Sequence, residues 1–102
     1  MLTPATAAAV GGRPQEDPRT KLLVAPTIRI GFQYWSVFDL GLEWDIYPVS
    51  TSPMPTEKFK RIVVVGFDEI ETELLGRDWL QDHLATLHAN CLKQDGEWRV
   101  MA

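Results

Sequence analysis

The sequence predicts an α+β fold: a mainly antiparallel sheet of about four to five strands with one main C-terminal helix, and a short helix before it, packed on one face. Three observations carry this expectation. Apolar residues occupy alternate positions from Ile28 to Ile46, the period of a strand. The run Ile62–Val65 is apolar at every position, as in a strand covered on both faces. Leu80, Leu84, Leu87 and Cys91 recur at the spacing of a single helical stripe.

Taken in order, Lys21–Ala25 reads as a short strand ended by Pro26, which cannot donate to a sheet ladder and so suggests an edge position. A single strand from Ile28 to Tyr47 would be far too long, so the chain is expected to turn. A three-residue loop at Asp39-Leu40-Gly41, with Gly41 left-handed, keeps the apolar set of both arms on one face. That hairpin pairs Phe38 with Leu42, Ser36 with Trp44 and Tyr34 with Ile46. Residues 48–57, with three prolines, suit an extended connection over the surface. Phe59–Phe67 is the expected central strand. Asp68, with Glu71 three residues on, forms a capping box for a helix over Glu69–Leu75 that Gly76 can close. Asp78 and Gln81 repeat the device for a helix to about Leu92, expected to pack on the hairpin's even-numbered face. Asp95-Gly96 then turns the chain into a last strand, Glu97–Met101.

Composition bounds the function. A chain of 102 residues, 45% hydrophobic and 10% aromatic, suits one folded domain, read as 21–102 behind a mobile tail at 1–20. The formal charge of −4 argues against a nucleic-acid binder that works by neutralising phosphates, and points to a neutral or basic partner. Cys91 is the sole cysteine, which excludes an intrachain disulfide and fits a reducing, cytoplasmic setting. Residues 1–20 lack the apolar run of a signal peptide, and no stretch has the roughly eighteen apolar residues of a membrane span, so no membrane partner is expected.

No cofactor or metal is expected. His83 and His88 lie five apart and flank the leucine stripe on opposite sides of the helix, so they do not share an ion. Cys91 falls on the face the helix buries, a poor setting for a reactive thiolate. A phosphate loop is excluded because Gly66 stands alone and Asp68, Glu69 and Glu71 fill the helix start that follows. The expected site is the hairpin's odd face, where Trp35, Glu43, Asp45 and Tyr47 form a contact surface unless a loop or the tail folds over it. The function expected is that of a small acidic, non-enzymatic binding protein of the inhibitor, immunity or antitoxin type. Its partner is a protein, basic where charge decides, or a second copy of the chain. The alternative is a homodimeric subunit or small-ligand module using the exposed sheet face. An enzyme with Glu43, Asp45 or a histidine as general base is the least favoured class.

Overall fold

The computed structural model describes residues 20–101, so the expected tail lies, apart from Thr20, outside the described residues. Four strands, β1 (Lys21–Ala25), β2 (Trp44–Pro48), β3 (Phe59–Val64) and β4 (Leu92–Val100), form one sheet in the order β2-β1-β3-β4. All three neighbouring pairs are parallel. With helices α1 (Ile28–Phe38), α2 (Glu69–Leu75) and α3 (Arg77–Cys91), this is an α/β fold. The antiparallel α+β expectation is overturned, and the hairpin over 28–47 is replaced by a helix followed by a strand.

The reason lies in a coincidence of periods. Ile30, Tyr34 and Phe38 are alternate-face partners in a strand and also i, i+4, i+8 neighbours on a helix, so the pattern serves both readings. Local signals decide for the helix. Buried Pro26 ends β1, and Thr27 takes extended angles while its Oγ1 accepts from the Ile30 amide at 3.2 Å, a side-chain N-cap. At the other end Asp39 is left-handed (φ 54°), its amide bonds to Ser36 O, and the Leu40 amide bonds back to Trp35 O, a Schellman close. The left-handed residue is therefore Asp39; Gly41 has no positive φ. Gly31 lets α1 lie close on the sheet, for an added Cβ would stand 2.6 Å from Ile46 Cγ2.

With α1 as a crossover, β2 returns parallel to β1 in the register Leu23↔Ile46 and Val24↔Tyr47. Both sheet faces then carry a buried apolar cluster. Leu23, Ala25, Trp44, Val63 and Val65 pack with Ile30, Tyr34 and Trp35 on the α1 side. Leu22, Val24, Tyr47, Ile62 and Val64 pack with Leu87 and Cys91 of α3 on the other. This corrects two further expectations: β1 is an inner strand, and α3 packs on a parallel sheet. Parallel crossovers keep one hand, so a step from β1 outward to β2 and steps back toward β3 and β4 place their connections on opposite faces. The proline-rich segment 49–58 makes the β2-to-β3 crossing, tucking Val49 and Met54 into the α3-side core.

The later elements follow the sequence more closely. β3 is an inner strand, and Asp68 caps α2 by accepting from the Glu71 amide at 2.8 Å. Gly76 (φ 96°) closes α2 and opens α3, which starts at Arg77 without a side-chain cap bond, so the expected box at Asp78 is absent. The chain also does not turn at Asp95-Gly96. One residue between Phe59 and Arg61 faces four between Leu92 and Glu97, a bulge that absorbs the glycine within β4.

Candidate functional site

In an open parallel sheet, ligands favour the crevice beyond the strand C-termini where strand order reverses, here between β1 and β3. That crevice is filled by the chain itself. Gly66 (φ 80°) packs so tightly that a Cβ would stand 2.5 Å from Ile30 Cγ2 and 3.2 Å from Pro26 Cδ. Beside it, at the C-terminal end of β2, the Tyr47 hydroxyl lies 2.6 Å from His83 Nε2, and the His83 ring stacks on Trp79 with centroids 4.6 Å apart. Burial raises the Tyr47 phenol above its ordinary pKa, with Cys91 adding to the shift, and burial lowers that of His83. Both directions favour neutral forms, so the pair is a neutral hydrogen bond clamping β2 to α3. Cys91 is fully buried, its Sγ donates to Pro55 O at 3.1 Å, and burial followed by Glu57 raises its pKa against the smaller pull of Lys58. A thiol so placed is held from the thiolate form.

The sequence-predicted residues do not share one surface. Tyr47 is in the α3-side core and Trp35 packs on the α1 side. Trp35 is half-buried, stacks on Phe32 at 5.6 Å, and donates its indole N–H to Leu40 O, so it helps close α1. Glu43 pairs with Lys21 at 3.7 Å, and the Lys21 ammonium lies over the Trp44 ring at 5.8 Å. Asp45 Oδ1 accepts from the Ile46 amide at 3.0 Å on edge strand β2, occupying a donor that another strand would otherwise need.

The structure does bring Trp35 and Asp45 to one shallow groove between α1 and β2, about 260 Å³, together with Phe32 and Leu42. Phe32 is 52% and Leu42 82% exposed, and Ile28 extends the apolar surface along α1. Sequence reasoning placed Phe32 and Leu42 in the core. Read at helical spacing, Ile28, Phe32 and Trp35 form a stripe, which was the signal available for Phe32; Leu42 lies beyond α1 and outside that stripe. His83 and His88 do flank α3, one on Tyr47 and Trp79, the other edge-on to Trp98. Among the described residues no group of three or more His, Cys, Asp or Glu is placed to hold a metal ion, and no helix is long and apolar enough to cross a membrane. No family model, curated protein or solved structure matches the chain.

Proposed function

We propose that this chain is a non-enzymatic binding protein that engages a protein partner through the outer side of α1 and the adjoining edge of β2. The observation that carries the reading is the exposure of Ile28, Phe32 and Leu42 around the Trp35 and Trp44 rings, a contiguous apolar patch at the surface of a small domain. Aromatic side chains in such a setting are the residue type that dominates interface energetics. Asp45 lines the patch and Glu43 lies between Leu42 and Trp44 in the chain, so a partner presenting Lys or Arg around an apolar centre is the complementary one. Burial raises the Cys91 thiol above its ordinary pKa, which weighs against a cysteine nucleophile. The compartment we infer is the cytosol, on the strength of a single buried thiol.

The test is site-specific photo-crosslinking in cells of the source organism. A benzophenone side chain at position 32 or 42 should give one discrete heavier species, and the same group at the exposed Gln81 of α3 should not. A species of twice the chain's mass would favour the homodimer alternative. Equal yields from all three positions, or none, would refute the surface.

A further inference from the structure

The half of the sheet that α1 leaves uncovered carries a groove of a different chemistry. Only the β1-to-β2 step places a connection on this face, so α1 covers β1 and β2, and the later crossings pass over the other side. On the open half β3 and β4 align Arg61 with Glu97 and Val63 with Arg99. With Phe38 at the end of α1 and Met101 beyond β4 these side chains bound a groove of about 310 Å³. Its floor is apolar, with Leu23 fully buried and Val63 nearly so. Its charges converge: Arg61 Nε lies 2.9 Å from one oxygen of Glu97 and Arg99 Nη2 lies 3.2 Å from the other.

Two guanidinium groups against one carboxylate leave this groove at +1, in a chain whose formal charge is −4. Each guanidinium carries five donors in a planar fork suited to a carboxylate or similar oxyanion, and in these ion pairs each meets Glu97 through one nitrogen. The volume matches the small end of ligand pockets, roughly 300 to 1,000 Å³, and a helix of about 10 Å diameter does not fit within it. We infer that this groove binds a small molecule with a flat apolar body and one anionic group. The body lies on Val63 and Leu23 beside Phe38, and the anion takes the unspent donors of Arg61 and Arg99. Glu97 is then both the holder of the two arginines in the empty groove and the internal competitor of the ligand.

The groove shares only Trp44 with the lining of the α1 patch, and the full chain tests the proposal by an amide NMR titration at low salt with 2-naphthoate, against the neutral isostere 2-naphthamide. The expected result is one saturable site with shifts centred on Val63, Arg99 and Met101, and an amide that binds about two- to fivefold more weakly, as one exposed charge contact implies. Arg99→Gln should weaken naphthoate by about fivefold, and Glu97→Gln should tighten it by a similar factor because the competing carboxylate is gone. A purely structural ion-pair cluster would not tighten. Both side chains are substantially exposed, so the variants should fold, and the acid-versus-amide comparison on the unaltered chain stands without them. Equal affinity for acid and amide, no tightening in Glu97→Gln, or shifts centred on Phe32 and Leu42 would overturn the proposal. So would shifts of the groove residues on concentrating the ligand-free chain, which would give that face to a second copy.

Discussion

Gly31→Ala isolates the contact on which the parallel architecture turns. The added methyl would stand 2.6 Å from Ile46 Cγ2 and 3.6 Å from Ala25 Cβ. Ile46 Cγ2 sits on a β-branched carbon in a strand and has little rotamer freedom with which to yield. Glycine to alanine in a helix interior ordinarily gains about 1 kcal/mol, and forcing a methyl into a filled contact costs about 1 to 3 kcal/mol. The balance is a net loss of about 1 kcal/mol, a fall in melting midpoint of roughly 4 to 8 °C for a domain of this size. In an Ile46→Ala background the obstructing methyl is gone, and the same change should stabilise by about 0.5 to 1 kcal/mol. Thermal and urea unfolding of the four proteins measures the coupling directly. If Gly31→Ala stabilises both backgrounds alike, α1 does not rest on β2 and the reasoning fails.

Asp39 holds a left-handed conformation that costs a non-glycine residue about 1 kcal/mol, so Asp39→Gly should raise stability by about 0.5 to 1 kcal/mol in a thermal melt. The His83 pKa lies below its ordinary 6.5 in the fold, so its contribution to stability is complete above 6.5 and is lost as pH falls from there through the lowered value. Urea midpoints between pH 8 and pH 5, taken at intervals of about one unit, should show that loss in the unaltered chain and a smaller one in His83→Asn. A pH response unchanged by His83→Asn would refute the assignment. Cys91, fully buried, should react with a thiol reagent at the rate of unfolding, and rapid labelling of the native chain would contradict its placement.

The sequence shows the inner strand β3 and the two C-terminal helices, but not α1, the direction of strand pairing or, with them, the fold class. The buried run Ile62–Val65, the Asp68 cap and the Leu80–Leu87–Cys91 stripe were legible because each rests on a local rule that tertiary context did not oppose. The stretch 28–38 was not, because β-branched and aromatic residues carry strand propensity and spacing by four satisfies both periods. Thr27 after Pro26 was the overlooked start signal, and Asp39 the stop. Once 28–38 is a helix, a parallel β1–β2 pair follows, and Tyr47 passes from a presumed surface to a core hydrogen bond with His83. Trp35 and Asp45 still border one groove, although the alternation that grouped them does not exist.

The most direct measurement of the central claim is the affinity of the crosslinked partner for variants of the α1 surface. Phe32→Ala, at a side chain 52% exposed, should weaken binding by about 2 kcal/mol, roughly thirtyfold in Kd, and Leu42→Ala by a similar order. Leu42→Ala, at 82% exposure, should leave the melting midpoint almost unchanged, and Gln81→Ala should leave both affinity and stability unchanged. Full affinity in both Phe32→Ala and Leu42→Ala would contradict the account and remove the α1 surface from function.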